Sequence, residues 1–303
     1  MRTHYVATVP LDDARLGEDL ERSLSLRWSE AYSDYIFGGS WNSCMLWAPG
    51  GDTGDGVVTN YAYDRPPAFT AYADQLPYLR KLITDTADLD RLNFARLALV
   101  TNSVGIPHRD LLELDDLPNQ SRNAHRMHIP LATDDNCLFT EGNTVYRMRQ
   151  GEIWFLDASV IHAVAVLSGI KRIHLMLDFV DTPDPGSLLT VAGGTPDTGI
   201  PADRMVSRPA LTGPERASLL GLADVLTMDT FNEVFSIVIK KHYRSDGGDD
   251  FVWSTLIDLA RGSADPAVLP HALKLRRYYT LERSAQELDP FSTVDPAVKE
   301  HVS

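Results

Sequence analysis

The sequence predicts a mainly β protein: an antiparallel sandwich or barrel flanked by helices and followed by a helical C-terminal segment. Three observations predict this class. Short stretches in the middle of the 303-residue chain alternate polar and apolar residues, which is the period of a half-buried strand. Turn sequences such as Glu141-Gly142-Asn143, rather than helices, separate the later stretches, as in antiparallel sheets. Toward the C-terminus, apolar residues recur at helical spacing.

Two helices and six strands are expected in the first 180 residues. The spacing of apolar residues predicts amphipathic helices within Leu11–Leu26 and Asp74–Leu89. Strands are expected where the period is two, at Arg96–Val104, Arg126–Leu131, Thr144–Arg149, Glu152–Leu156, Val160–Val166 and Arg172–Phe179.

The C-terminal part begins with a stretch rich in Pro, Gly, Thr and Asp, at 181–214, which is typical of a linker. Thr212 and Asp229 are expected helix N-caps, and Glu215 completes a capping box with Thr212. Helices are expected at Pro214–Leu226, Phe231–Tyr243, Phe251–Arg261 and Pro266–Tyr279. We therefore predict three parts: a β-rich domain with N-terminal helices at 1–182, a linker at 183–213 and a helical domain at 214–303.

Composition limits the partners and the compartment. The chain carries 28 basic and 42 acidic residues, a net charge of −14, which argues against nucleic acid or an anionic membrane as the main partner. An anionic small ligand remains compatible, because it responds to local charge. Two cysteines cannot form a disulfide framework, no run of about 18 apolar residues predicts a membrane span, and Met1–Pro10 lacks a signal-peptide core. A cytoplasmic location is the default expectation.

Three candidate metal ligands lie in the β-rich centre. His108 and Asp110 are two residues apart, so in an extended strand their side chains point to one side, and His162 follows 52 residues later. Two histidines and one carboxylate that leave coordination positions open are typical of non-haem Fe(II) oxygenases. The tripeptide alone is a weak signal, since a single histidine is more often a surface or core residue.

Arg172 lies ten residues after His162, across a turn at Ser168-Gly169. If the loop spans 168–170, a hairpin would place His162 and Arg172 on one face, together with His174, Met176 and Asp178. A guanidinium on such a face can bind a carboxylate bidentately. The alternative is a solvated sheet face with an exposed arginine.

Three more residues are candidates for the same site. Arg126 and His128 share one face of their strand, and two inward donors need an anion, either a bound oxoacid or a carboxylate of the protein itself. Trp154 lies in the apolar stretch before His162, where it is expected either to wall a ligand pocket or to pack in the core.

The sequence resembles the Fe(II)/2-oxoglutarate-dependent dioxygenases of the aspartyl/asparaginyl β-hydroxylase type, and among them the bacterial hydroxylases of free L-proline, especially the cis-3-hydroxylases. The matching stretches are Pro107–Asp110 with Glu113-Leu114-Asp115, Arg126-x-His128, Met148–Asp157, His162 and Arg172.

The resemblance implies a double-stranded β-helix core of the jelly-roll, cupin-like kind within 1–182. It implies Fe(II) held by His108, Asp110 and His162. It further implies 2-oxoglutarate as cosubstrate, with its far carboxylate on Arg172 and with help from Arg126 and His128.

The implied reaction hydroxylates a free cyclic imino acid, L-proline or L-pipecolate, with C3 as the expected position, and consumes O2 while releasing succinate and CO2. Such a substrate carries a carboxylate, for which Arg96 and Arg122 are the candidates, unless these are surface ion-pair residues. Two other functions remain open: hydroxylation of an Asp, Asn or other residue in a peptide or carrier-bound substrate, and non-enzymatic binding by a cupin-like protein. The helical segment is expected either to form a homodimer interface or to cover the barrel.

Overall fold

A computed structural model describes residues 2–110, 123–180, 182, 185–191 and 198–280. In these residues two antiparallel sheets face each other, which confirms the predicted jelly-roll class. The larger sheet has the order β1-β11-β8-β13-β6-β4-β2, with β5 beside β4, and its strands are β1 (His4–Thr8), β2 (Ser29–Glu30), β4 (Trp41–Pro49), β5 (Pro67–Phe69), β6 (Leu92–Thr101), β8 (Asn123–Ala132), β11 (Glu152–Leu156) and β13 (Lys171–Val180). The smaller sheet has the order β10-β9-β12-β7-β3, and its strands are β3 (Ile36–Gly38), β7 (Ser103–Gly105), β9 (Cys137–Glu141), β10 (Thr144–Tyr146) and β12 (His162–Val166).

Six helices of the described residues cover the outer faces of the sheets. They are α1 (Asp13–Ser23), α2 (Pro77–Thr86), α3 (Gly213–Leu220), α4 (Phe231–His242), α5 (Phe251–Gly262) and α6 (Val268–Thr280). The first two pack on the larger sheet, where Leu16 and Ile83 share a core with Leu175. The last four cover the smaller sheet. Five of the six agree with the predicted helices to within a few residues, whereas α3 ends at Leu220 and continues as a 3-10 helix over Gly221–Val225. None of the helices in the described part combines the length and the apolar character that a bilayer span requires.

The central strand β13 separates the core from the site. One face of β13, which carries Ile173, Leu175, Leu177 and Phe179, packs in the core under α1 and α2. The other face carries Arg172, His174, Met176 and Asp178 and points between the sheets, where all four are buried. The two faces are those that the alternation predicts.

The predicted hairpin between His162 and Arg172 is wrong. Strand β12 pairs with β9 and β7 in the smaller sheet, whereas β13 pairs with β6 and β8 in the larger one. The chain crosses from one sheet to the other between them. The two side chains therefore approach each other across the sandwich and not along one sheet face.

Other elements also differ from the expectation. The predicted strand at Arg96–Val104 is two strands, because the chain changes sheets at Asn102, which has a φ of +36°. Strand β9 was not predicted, since its residues are nearly all buried and do not alternate. Thr212 caps α3 in a capping box as expected, but the N-cap of α4 is Thr230 and not Asp229.

The described parts of the predicted linker lie against the β-sheets. Leu188 is fully buried in the core of the larger sheet. Arg204 forms an ion pair with Glu152 of β11, and the Val206 amide donates to the Val145 carbonyl at 2.8 Å. The Pro- and Gly-rich composition here accompanies irregular backbone, whose described parts pack on the sheets.

The helical segment and the smaller sheet share one hydrophobic core. Val104 and Ile106 pack with Phe235, Trp253 and Leu256 in a single buried cluster. The helices therefore cover the barrel, and the two parts should unfold together.

We expect Leu256→Ala to destabilise the whole chain by about 2–5 kcal/mol, because the substitution leaves a cavity in this shared core. Denaturant unfolding followed by far-UV circular dichroism and by tryptophan fluorescence should give one coincident, lowered midpoint. The control is Leu273→Ala, at a position that is 43% exposed, which should change stability by less than about 0.5 kcal/mol. Two separate transitions would contradict the shared core.

Candidate active site

His108, Asp110 and His162 converge at one end of the space between the sheets. One ligand atom from each lies within 4.8 Å of the others, so the three can hold one metal ion. The strand segment that carries His108 is bridged to β12, with mutual backbone hydrogen bonds between His108 and His162 of 3.0 and 2.9 Å. The amide of Asp110 donates to the Ala158 carbonyl at 2.9 Å. These backbone bonds hold the three ligands in register.

Both histidines present the same ring nitrogen. Nδ1 of His108 lies 2.6 Å from the Ile106 carbonyl, and Nδ1 of His162 lies 2.9 Å from the Val160 carbonyl. Because a carbonyl only accepts, each Nδ1 carries the proton and each Nε2 is left as a lone-pair donor. Burial, with the neighbouring His108, lowers the pKa of His162 to about 4, which keeps its imidazole neutral as a metal ligand requires.

A chain of alternating charges extends from the metal site into the larger sheet. Arg126 forms an ion pair with Asp110 and donates through Nε to Asp178 at 2.7 Å. On the other side, Nη2 of Arg96 lies 3.3 Å from Asp178. Burial opposes ionisation of Asp110, but Arg126 and the two histidines outweigh it and hold its pKa well below the ordinary value. Asp110 is thus an oriented anion.

Arg172 lies deeper in the same cleft and has a different environment. It is 1% exposed and pairs with no carboxylate among the described residues. Its guanidinium lies 5.0 Å from the Phe139 ring centroid, and Nε has no hydrogen-bond partner in this part of the chain. Burial lowers the pKa of Arg172, because a cation is costly to bury without an anion beside it.

His128 adds a neutral donor and acceptor to this region. It is 4% exposed, and neither ring nitrogen has a hydrogen-bond partner within the described ranges. Burial and the nearby Arg172 lower its pKa well below the ordinary value. An uncharged imidazole has one donor and one acceptor nitrogen, and here both can hydrogen-bond to polar groups of a bound ligand.

These groups line one cleft of about 640 Å³ of empty space, which opens to solvent. Its lining combines the metal ligands, three arginines and aromatic side chains, and includes Tyr32, Tyr35, Trp41, Arg96, His108, Asp110, Arg126, His128, Phe139, His162, Arg172 and Met176. The cleft is therefore cationic at its walls and apolar elsewhere.

Comparison with known proteins identifies the family. The family model described as aspartyl/asparaginyl beta-hydroxylase matches residues 15–182, which is more than half of the chain. A second model, described as L-proline 3-hydroxylase, C-terminal, matches residues 188–287. The chain belongs to the aspartyl/asparaginyl β-hydroxylase family.

Similar curated proteins span nearly the whole chain. L-proline cis-4-hydroxylase of Rhizobium meliloti (strain 1021) is 32% identical over 95% of this chain and 99% of its own length. L-proline cis-3-hydroxylases 2 and 1 of Streptomyces sp are each 29% identical, over 95% and 92% of this chain and 98% and 94% of theirs. Both family models and all three relatives are described as hydroxylases, so the chain is an enzyme. The alternative of a non-enzymatic cupin-like protein is therefore wrong.

The ligand atoms of His108, Asp110 and His162 fit a ferrous ion. Two neutral imidazole nitrogens and one carboxylate oxygen within 4.8 Å of one another form the mixed ligand set that suits Fe(II), with positions left open for other ligands. The tautomers set by Ile106 and Val160 make both Nε2 atoms available. The structure thus supports the metal that the family implies.

Two predicted contacts need correction. Trp154 does not line the cleft, because it is fully buried in a cluster beneath it with Tyr146 and donates through Nε1 to Glu152 at 2.9 Å. The core alternative for Trp154 is the one observed. Arg126 has the protein carboxylates that the sequence analysis offered as its alternative partner. Arg122 lies outside the described residues.

The aromatic walls were missed by the sequence analysis. Tyr32 has a φ of +61°, and its ring lies 5.5 Å from the Arg96 guanidinium. Tyr35 packs against His108 with ring centroids 4.7 Å apart. Both lie in a short irregular connection before β3, where no periodicity exists, so only the fold shows that they face the cleft. Trp41 and Phe139 come from strands on opposite sheets.

We expect Arg126→Gln to weaken Fe(II) binding about 10–100-fold, because Asp110 loses the group that orients its carboxylate. Anaerobic titration with Fe(II) measures the affinity directly. The control is Arg204→Gln, which breaks the ion pair with Glu152 away from the metal site and should leave Fe(II) affinity unchanged. Equal affinity of Arg126→Gln and the unaltered chain would mean that Arg126 does not orient Asp110.

Proposed function

We propose that this chain hydroxylates a C–H bond of free L-proline, or of its six-membered homologue L-pipecolate, in an Fe(II)- and 2-oxoglutarate-dependent reaction. One observation carries the proposal: a His-Asp-His metal site and a buried arginine without a carboxylate partner among the described residues share one cleft. The metal site alone would fit many oxygenases. The arginine adds a place for the far carboxylate of 2-oxoglutarate.

Charge in the cleft supports two anionic ligands. Arg96, Arg126 and Arg172 face only two carboxylates of the described chain, Asp110 and Asp178. A divalent metal adds further positive charge, so the site is strongly cationic before any ligand binds. A dianionic oxoacid and the carboxylate of an imino acid would bring compensating negative charge.

Each group of the chain has a proposed role. His108, Asp110 and His162 hold Fe(II), which when bound supplies the oxygen activation that couples conversion of 2-oxoglutarate to succinate and CO2 with hydroxylation of the substrate. Arg172 and His128 bind the oxoacid and fix its orientation. Arg96, beside Asp178 and under Tyr32, binds the substrate carboxylate through its buried Nε and Nη1. The aromatic walls limit water and hold the target carbon in place, and positioning is the main contribution of the protein.

Proline as the substrate class is supported by the relatives, whose names state L-proline hydroxylation at C3 or C4. These names include both positions at similar identity, and C3 is proposed from the resemblance together with the model described as L-proline 3-hydroxylase, C-terminal. An additional methylene in a pocket is worth only about 1–3 kcal/mol, so pipecolate is proposed as a second substrate.

We expect succinate release to depend on free L-proline and to be lost in Asp110→Ala, because the metal site loses the carboxylate that the described residues supply. The measurement is succinate formation across free imino acids, amino acids and a proline-containing peptide, followed by NMR of the product to locate the hydroxyl group. Release with the peptide and not with free proline would favour the peptide-hydroxylase alternative.

We expect two arginine variants to separate the two ligands. Arg172→Lys should raise the KM for 2-oxoglutarate roughly tenfold or more with little change in the KM for proline, because lysine lacks the bidentate fork. Arg96→Lys should raise the KM for proline, with little change in the KM for 2-oxoglutarate. Arg261→Lys, at an exposed position on α5, is the matched control for the substitution itself. If Arg172→Lys instead raised the KM for proline, and Arg96→Lys that for 2-oxoglutarate, the roles of the two arginines would have to be exchanged.

A further inference from the structure

A buried histidine beside Arg172 has no role in the preceding assignments. His174 is fully buried on the inward face of β13, one position beyond Arg172 along that face. Its Nδ1 lies 2.8 Å from Nη2 of Arg172. Its ring lies 5.6 Å from that of Phe139 and 5.7 Å from that of His128, measured between centroids. It therefore sits directly behind the arginine, in the second layer of the cleft.

The contact determines the tautomer of His174. A guanidinium has donors only, so Nδ1 must accept the hydrogen bond and the ring proton must be on Nε2. Burial, followed by Arg172 and His128, lowers the pKa of His174 well below its ordinary value, which agrees with a neutral ring. Nε2 has no hydrogen-bond partner among the described residues. The histidine is thus an acceptor toward Arg172 and not a second cation.

The arginine needs such a partner because no carboxylate of the described residues pairs with it. Arg172 forms no ion pair with a carboxylate in the described ranges, and its Nε has no hydrogen-bond partner there. The Phe139 ring packs near the guanidinium without fixing its rotation. A bidentate contact to a carboxylate requires that the plane of the guanidinium be held before the ligand arrives. Within the described residues, Nδ1 of His174 is the acceptor that meets the guanidinium of Arg172 and can do this.

We propose that His174 is a positioning residue whose Nδ1 fixes the guanidinium plane of Arg172, so that the site selects a dicarboxylic 2-oxo acid over a monocarboxylic one. The inference rests on the proposed function, since it assumes that Arg172 faces the far carboxylate of the cosubstrate. It assigns the selectivity to a histidine–arginine pair and not to the arginine alone.

Two amide substitutions test the proposal, because each imitates a different ring nitrogen. His174→Asn keeps an acceptor near the position of Nδ1, whereas His174→Gln moves the amide to the position of Nε2. The measurement is calorimetric binding of 2-oxoglutarate and of 2-oxobutanoate, which lacks the far carboxylate, to the anaerobic Fe(II)-loaded chain. His242→Asn is the matched control, since His242 is also buried but contacts Thr140 outside the cleft.

We expect His174→Gln to bind 2-oxoglutarate about 10–100-fold more weakly, in keeping with loss of a hydrogen bond that involves a charged group. Its affinity for 2-oxobutanoate should not change. His174→Asn should stay within about threefold of the unaltered chain for both acids. Equal weakening by both amides, no weakening by His174→Gln, or equal loss for both acids would overturn the proposal.

A second measurement uses the unaltered chain and does not depend on the folding of any variant. The ¹⁵N chemical shifts of His174 should show the Nε2-protonated tautomer, and the Nδ1-protonated tautomer or a charged ring would overturn the proposal. Failure of the proposed function gives a different result. In that case the unaltered Fe(II)-loaded chain would bind 2-oxoglutarate no better than 2-oxobutanoate, whatever stands at position 174.

Discussion

Enclosure of three guanidinium groups between two β-sheets, two of them fully buried and that of Arg126 largely so, is the constraint on which the rest of this structure depends. Removing a charge from water costs several kcal/mol unless an opposite charge or hydrogen bonds compensate. Arg96 and Arg126 share Asp178, and Arg126 also reaches Asp110. Arg172 has no such partner among the described residues, so a bound anion is the natural compensation. The same pairs therefore orient Asp110 of the metal triad and leave Arg172 without a carboxylate partner in the described chain.

Strand β13 makes this arrangement possible, because its two faces serve different purposes. The apolar face anchors the strand in the main core with Leu175 and Phe179 fully buried. The polar face projects Arg172, His174 and Asp178 into the space between the sheets. A rigid, doubly paired strand holds these groups more precisely than a loop would, which suits a site whose contribution is positioning.

The helical C-terminal segment supports the metal site through hydrogen bonds to the backbone next to two of the ligands. Nε1 of Trp253 donates to the Pro107 carbonyl at 3.1 Å, and the Arg109 amide donates to the Tyr279 carbonyl at 2.8 Å. These bonds hold the segment that carries His108 and Asp110, which has little sheet pairing of its own. The helices thus stabilise the ligand geometry as well as the smaller sheet, which gives a physical reason for the similarity to the proline hydroxylases across both parts of the chain.

The sequence alone determined the class of fold, the helices, the two faces of β13 and the three metal-ligand candidates, because alternation and ligand spacing are local properties of the chain. It could not determine how β12 and β13 associate, since the choice between a hairpin and a crossing between sheets depends on which strands each one pairs with. It also could not show that Arg126 pairs with carboxylates of the protein whereas Arg172 pairs with none among the described residues, or that Trp154 is buried and not a pocket wall. Those differences depend on the burial and partners of each side chain, and only the packing of the two sheets decided them.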